Sequence, residues 1–353
     1  MKISFPHIGN YYIPVYYLLS NTMDLEVVIP PKMTNKTREL GNKYSPDFIC
    51  SPFKYTLGSI IESNSDIALQ LGGGCKYGYY FEMQQKILKD ENLNTEIINL
   101  ISCGKTDFKE IYLKLKKYLK KGNLRNLKYL INTFNILKYM DDLEFKMREK
   151  GIFLKEYNDF LDLILKKEKM WKIKKKYKNI KCKIKKNVEN RENSIKIGIV
   201  GELYTIMEPF ANYYTEENLI KRKIKITREV NATYLLFKKK RKMKKEIKKS
   251  KYITSKMGAD ASDNVCKVEK YCKEGYDAIL HIKSSFCTPE IAAMPLIEKV
   301  CKDYDVPVLF LSFDTNSNEA AVSTRIEALL DLIEMRKNNE WTLFRYRYRI
   351  YIN

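Results

Sequence analysis

Apolar residues recur along this chain with two alternating rhythms. In the first hundred residues, short apolar runs at Lys2–Phe5, Leu25–Ile29, Asp66–Leu71 and Glu96–Leu100 read as strands. Between them Asn10–Ser20, Thr34–Lys43, Tyr55–Glu62 and Tyr79–Asp90 carry helical spacing. Strands alternating with helices predict a mostly parallel, doubly wound sheet. From Phe108 to Tyr177 the spacing is helical throughout, as in Ile111, Leu115, Tyr118, Leu119 and later Leu127, Leu130, Ile131, Phe134, Leu137, with breaks expected at Gly122 and Gly151. Asn179–Ser194 is charged and without periodicity, and is expected to be a linker. A second alternating unit follows. Its strands are Ile195–Gly201, Lys223–Ile226, Asp277–Ile282 and Val306–Ser312, and its helices Glu208–Lys221, Val230–Ser250, Ala261–Lys273, Pro289–Asp303 and Glu319–Met335. The expected organisation is an α/β domain over residues 1–105, a helical insert and linker over 106–194, a second α/β domain over 195–336, and a tail over 337–353.

Composition changes this picture little. At 353 residues the chain can bury a large core, and no apolar run approaches the roughly 18 residues a membrane helix needs. The first residues lack the pattern of a secretory signal, so a cytoplasmic protein is expected. The net charge of +22 is gathered in lysine-dense runs at 166–186 and 238–251, with no nucleic-acid motif beside them. That charge reads as a solvated surface ahead of a nucleic-acid face. The eight cysteines contain no CxxC pair, which argues against a zinc finger, and a cytoplasmic setting argues against a disulfide framework.

The candidate chemistry lies in three of those cysteines. Cys75 follows the strand ending at Leu71 and three glycines, Gly72, Gly73 and Gly74, which can bring backbone close to a ligand or adopt turns closed to other residues. It stands at a strand's carboxyl end, where open α/β sheets bind ligands. Cys50-Ser51-Pro52 and Cys287-Thr288-Pro289-Glu290 each open a helix, with Ser or Thr suited to the cap and Pro to the first turn. A thiolate there meets free N–H groups and the positive end of the helix dipole. A thiolate at Cys75 is either a nucleophile or a metal ligand; no base stands beside it in sequence, and taken together Cys50, Cys75 and Cys287 read as ligands of an iron–sulfur cluster. Lys54 and Lys76 are candidates to offset its charge, and Gly73 and Gly74 to close backbone around it. Cys103 is a spare candidate. Cys182, Cys266, Cys272 and Cys301 read as structural. Of the two histidines, His281 reads as a core residue and His7 as a candidate acid/base group. Neither a GxxxxGK[ST] loop nor a GxGxxG after a strand is present, so ATP and nicotinamide cofactors have no visible site.

Several stretches recur in a familiar order: His7-Ile8-Gly9-Asn10-Tyr11-Tyr12, Cys50-Ser51-Pro52-Phe53-Lys54, Gly73-Gly74-Cys75-Lys76-Tyr77-Gly78-Tyr79-Tyr80, Glu202-x-Tyr204-Thr205 with Glu208-Pro209, Cys287-Thr288-Pro289-Glu290, and Thr324-Arg325-Ile326-Glu327-Ala328. Together they resemble the 2-hydroxyacyl-CoA dehydratase superfamily, in particular its activase-related proteins near the double-cubane cluster proteins. The resemblance covers most of residues 1–335 outside the helical insert. It implies two flavodoxin- or Rossmann-like α/β domains with a cluster between them, either 4Fe–4S or double-cubane, and three cysteine ligands that map onto Cys50, Cys75 and Cys287. It further implies a homo- or heterodimer, an acyl-CoA substrate, and a separate ATP-dependent iron–sulfur activator protein that delivers a low-potential electron. In the dehydratases that electron reaches the thioester carbonyl, and the ketyl radical expels the 2-hydroxyl group. The double-cubane relatives reduce small molecules instead. The functions in play are therefore a dehydratase-type lyase or ATP-coupled reductase component, a non-catalytic cluster-bearing accessory protein, and, behind both, a basic nucleic-acid-binding protein.

Overall fold

The computed structural model describes residues 1–101, 108–186, 194–255, 257–314 and 317–338. Within these residues the strands form two four-stranded sheets, parallel throughout. The first contains β1 (Lys2–Ser4), β2 (Glu26–Val27), β3 (Ile67–Leu71) and β4 (Glu96–Ile101), in the order β2-β1-β3-β4. Its helices are α1 (Tyr12–Thr22), α2 (Asn35–Tyr44), α3 (Ser51–Ser63) and α4 (Tyr80–Asp90). A helical stretch follows: α5 (Phe108–Leu115), α6 (Asn123–Lys150), α7 (Glu156–Leu165) and α8 (Met170–Lys186). The second sheet contains β5 (Lys196–Gly201), β6 (Lys225–Thr227), β7 (Ala278–Ser284) and β8 (Val308–Phe313), in the order β6-β5-β7-β8. Around it lie α9 (Leu203–Met207), α10 (Thr215–Lys221), α11 (Lys239–Ile247), α12 (Ala261–Lys273), α13 (Thr288–Asp303) and α14 (Glu319–Lys337).

Both sheets are covered on both faces, and the side-chain period of two explains how. On β7, Ala278, Leu280 and Ile282 join the core shared with Ile197, Ile199, Leu219 and Leu330, whereas Ile279 joins Val200, Val265, Val268 and Ile297 on the opposite face. In the first sheet Ile67 and Leu69 face α1, and Ala68 faces the core under α3 and α4. The α6–α8 helices pack Ile136, Met140, Phe160, Ile164, Ile173, Ile180 and Ile184 onto Ile13 and Tyr17 of α1. Gly122 and Gly151 bound α6 as expected, both with positive φ.

Two expectations are corrected and a third, that 230–250 is helical, is refined. The stretch expected to be a linker from Asn179 is helical to Lys186, because Ile180 and Ile184 continue the buried stripe begun at Ile173; residues 187–193 lie outside the described ones. Glu208–Lys221 is not one helix. A short 3-10 turn, Pro209–Asn212, ends at two consecutive left-handed residues, Tyr213 (φ 52) and Tyr214 (φ 54), before α10 begins. Val230–Ser250 contains a π-helical turn at Tyr234–Lys238 before α11. Cys103 and residues 339–353 of the tail also lie outside the described residues.

The two sheets share one topology, and that places the site. In each, the first crossover runs to one side and the next returns past the starting strand, so the order reverses between β1 and β3 and again between β5 and β7. Such switch points open crevices at the carboxyl ends of the strands. His7, Cys75, Glu202 and Cys287 lie just beyond the ends of β1, β3, β5 and β7 respectively.

Candidate metal centre

Cys50, Cys75 and Cys287 all occupy N-cap positions: of α3, of the 3-10 turn Lys76–Tyr79, and of α13. Cys50 and Cys287 are buried and Cys75 is half-buried. The Cys75 sulfur accepts the Tyr77 N–H at 3.5 Å, and the Cys50 sulfur pairs with the Tyr80 hydroxyl. Proline in the first turn of α3 and of α13 sits where a free N–H is not needed.

The helix that Cys50 opens packs against strands of the other sheet, including the one that leads to Cys287. The Ser51 N–H donates to the Ser284 hydroxyl at 2.9 Å, the two hydroxyls are 3.1 Å apart, and the Ser51 hydroxyl donates to the Phe313 carbonyl at 3.1 Å. The start of α3 is thereby seated on the carboxyl ends of β7 and β8. On the other side, Gly74 lies against Ala259 in the loop before α12, within 3.8 Å of its Cα for an added Cβ. Gly73 lies under the Tyr77 ring. Neither Gly73 nor Gly74 has positive φ, so the left-handed turn also considered from sequence is not their role; a Cβ at Gly73 would crowd Tyr77 at 3.3 Å, whereas one at Gly74 would make only an ordinary contact.

Electrostatics ties the three sulfurs to one another. Burial pushes the Cys50 thiol up to about 12, with Glu202 and Cys75 adding to the rise and Tyr80 and Lys76 opposing it. Cys75 is raised by burial, Glu202 and Asp260, against the Tyr77 N–H and Lys76. Cys287 is raised by burial, then by Glu202, Glu290 and Cys50, against the Glu290 N–H. Glu202 acts on all three. Its half-buried carboxyl caps α9, accepting the N–H groups of Tyr204 (2.7 Å) and Thr205 (2.9 Å), and desolvation lifts it to about 7 despite those donors. Glu290 is held behind Cys287 by His281 Nε2 at 2.8 Å and by Asn264 at 2.9 Å and 3.0 Å.

The remaining sequence candidates divide. Lys76 acts on Cys50 and Cys75, whereas Lys54, buried one turn into α3, is not among the leading charges on Cys50. His7 is buried. Its Nδ1 pairs with Glu208 Oε2 at 2.9 Å, its N–H with Ser59, and its carbonyl with the Tyr204 hydroxyl. Since that Glu208 oxygen also accepts the Gly9 N–H at 2.7 Å, the histidine donates from Nδ1 and joins the two sheets as a buried strut. Cys266, Cys272 and Cys301 lie in the apolar layer beside β5 and β7, and Cys182 is exposed. Glu202 and Lys283, a buried cation on β7, were not candidates from sequence. The signal available for Glu202 was a carboxylate directly after a strand with Tyr and Thr at the next two positions, a cap pattern.

Among the described residues, no three His, Cys, Asp or Glu side chains converge tightly enough for one metal ion. Two buried thiols and one half-buried thiol, each at a helix start, with Lys76 acting on two of them, fit a polynuclear iron–sulfur cluster, whose iron would offset the thiolate charge.

The fold and site define a pair of doubly wound α/β units with cysteines gathered at facing switch points. Residues 109–333 match the 2-hydroxyglutaryl-CoA dehydratase D-component family, HGD-D, and the chain belongs to that family. The matched stretch includes α6–α8, which the resemblance read from motifs had left out, and Cys287, and it begins after Cys50 and Cys75. No curated protein matches the chain. No helix among the described residues is long and apolar enough to cross a membrane.

Proposed function

We propose that this chain is the cluster-carrying, electron-accepting component of a 2-hydroxyacyl-CoA dehydratase-like or double-cubane-like reductase system, working in the cytoplasm with a separate ATP-dependent iron–sulfur activator protein. The observation that carries this reading is the gathering of Cys50, Cys75 and Cys287 around Glu202, at three helix starts drawn from both sheets. Membership of the D-component family supports the component role, and the absence of a phosphate loop from the sequence supports an electron source outside the chain.

In this reading the three thiolates hold a 4Fe–4S or double-cubane cluster, which supplies one-electron chemistry when bound. The chain's own residues bind and shield it. Backbone N–H groups of Tyr77 and Glu290 face sulfur and favour its anionic form. Phe53, Tyr80 and Phe286 line the Cys50 side with apolar surface that keeps water out. The Ser51–Ser284 contact holds the ligands of the two sheets in register. An acyl-CoA thioester is the substrate class, and a second subunit, identical or related, completes the assembly.

Anaerobic purification with iron and sulfide analysis tests the reading. A brown protein whose iron is lost in Cys75→Ser and in Cys287→Ser, but kept in Cys182→Ser, is the expected result. A colourless, iron-free protein that also fails anaerobic reconstitution sinks it. Turnover of a 2-hydroxyacyl-CoA, or of a small reducible molecule, with an activator present separates a catalytic component from an accessory protein.

A further inference from the structure

α6 carries apolar residues on two faces. One face, with Ile136, Met140, Leu143 and Met147, is buried in the core shared with α1, α7 and α8. On the other, Leu124, Leu127, Ile131 and Phe134 follow one another at spacings of three, four and three. That is the narrow seam by which one helix packs along another. At 3.6 residues per turn the seam lies roughly opposite the buried stripe, so the core of α6–α8 does not account for it. Leu124 is 84% exposed and Leu127 and Ile131 each 51%, which leaves three consecutive seam positions in solvent. Single exposed apolar side chains are ordinary, but a row of them along one face marks a surface that meets something.

The strip continues onto a second element. Phe134 meets Phe237 of the π-helical turn edge-on, with ring centroids 5.4 Å apart, and the Lys138 ammonium lies 5.2 Å from the Phe237 ring. Leu236 and Phe237 are themselves half-exposed. A π-turn is a rare departure from the α-helical ladder and recurs at functional positions. Charge then selects the partner. No Asp or Glu occurs between Glu110 and Asp141, or between Glu229 and Glu246. Those stretches supply Arg125, Lys128 and Lys138 on α6 and the basic run 238–245 on the other element. Within that run Lys239 and Lys242 pair with Asp260 and Glu229, while Lys238, Arg241 and Lys244 are exposed. A second copy of the chain would set these cations against their own kind. A nucleic acid would engage the cations and leave the leucines and Ile131 unmatched. An amphipathic helix with carboxylates beside its apolar stripe matches both the seam and its rim.

We propose that the outer face of α6, together with the π-turn at Tyr234–Lys238, docks an acidic amphipathic helix of another protein. Leu124, Leu127 and Ile131 take the partner's apolar stripe, and the paired rings of Phe134 and Phe237 close one end of the seam. Lys128, Lys138 and Arg241, one turn beyond Phe237, meet the flanking carboxylates and speed encounter. The surface uses none of the three cysteines and none of their neighbours, so it is independent of the cluster reading.

Two fluorescent peptides of three heptads, with Leu at a and d and either Glu or Lys at e and g, are titrated with the full chain by anisotropy. Like charges at e and g keep each peptide from pairing with itself. The Glu peptide is expected to bind and the Lys peptide not. Leu127→Ala with Ile131→Ala keeps helix propensity and is expected to leave the thermal midpoint in place while weakening the Glu peptide about tenfold or more. Lys128→Glu with Arg241→Glu, a second and purely electrostatic variant, is expected to weaken the Glu peptide and admit the Lys peptide. A wild-type chain that does not bind the Glu peptide, or binds both peptides equally, overturns the assignment, as does Glu-peptide binding unchanged in the alanine variant. Binding of anionic phospholipid vesicles or of a DNA duplex in place of the Glu peptide also overturns it, giving the face to a membrane or a nucleic acid. A dimer in sedimentation that the alanine variant abolishes does the same, giving the face to a second copy.

Discussion

Ser51 and Ser284 meet at the junction of the two sheets, the N–H of one donating to the hydroxyl of the other across 2.9 Å while both side chains are buried. Each serine adjoins a cysteine region: Ser51 follows Cys50 directly, and Ser284 ends the strand that leads to Cys287. Few contacts in the protein bear as directly on whether the three sulfurs share one space.

This contact predicts a coupled loss. Ser51→Ala and Ser284→Ala each leave buried partners unsatisfied and are expected to cost about 1–3 kcal/mol. Because they share one hydrogen-bond set, the double variant is expected to lose less than the sum. Chemical denaturation of the two single variants and the double variant measures this. Additive losses would mean that the serines act independently.

Glu202 predicts a pH dependence of defined sign. Its carboxyl is raised to about 7 in the fold, against the ordinary 4.5 of an unfolded glutamate. The folded state therefore holds the proton more tightly, and the stability this confers is complete below about pH 4.5 and is lost as pH rises through 7. In the apoprotein the stability advantage of wild type over Glu202→Gln is expected to shrink by about 2–3 kcal/mol between pH 5 and pH 8. Urea melts of both proteins at the two pH values check it. A constant difference would show that the carboxyl titrates as in water.

Gly201 predicts an intolerant position. It ends β5 at φ +140°, and a Cβ there would stand 1.8 Å from the Ile282 carbonyl oxygen. Gly201→Ala is expected to cost more than about 3 kcal/mol, since the obstacle is backbone of the neighbouring strand and not a movable side chain. Soluble yield and thermal midpoint measure it, with Gly275→Ala as comparison, where φ is +72° but nothing lies within 4 Å.

Much of this architecture was legible in the chain. Buried strands such as Ile67–Leu71 and Ala278–Ser284 are apolar enough to stand out, and the Cys-Ser-Pro and Cys-Thr-Pro starts of α3 and α13 announce their caps. Other features carry no local signal. Tyr213 and Tyr214 break a helix by adopting left-handed conformations that glycine or asparagine would have advertised, and they are held there by packing and by the Asn212 hydrogen bonds. The stripe Ile173, Ile180, Ile184 is diluted by lysines until it no longer reads as periodic. Lys283 is invisible because a lysine at a strand end ordinarily faces water, and only the cover of α12 and α13 removes it from solvent. The pairing of His7 Nδ1 with Glu208, two hundred residues away in sequence, has no local signal either.

The division of the cysteines between the two sheets also has a temporal side. Cys50 and Cys75 leave the ribosome about two hundred residues ahead of Cys287. At ordinary elongation rates that interval is roughly 10–40 s. During it the first sheet has every residue it needs to fold, yet two thirds of the proposed ligand set stands without its third member and without Ser284 to seat α3. On the proposed reading, iron offered to the nascent chain would meet an incomplete site, and retention of the proposed cluster would report that translation has passed the second sheet and that the two halves have docked.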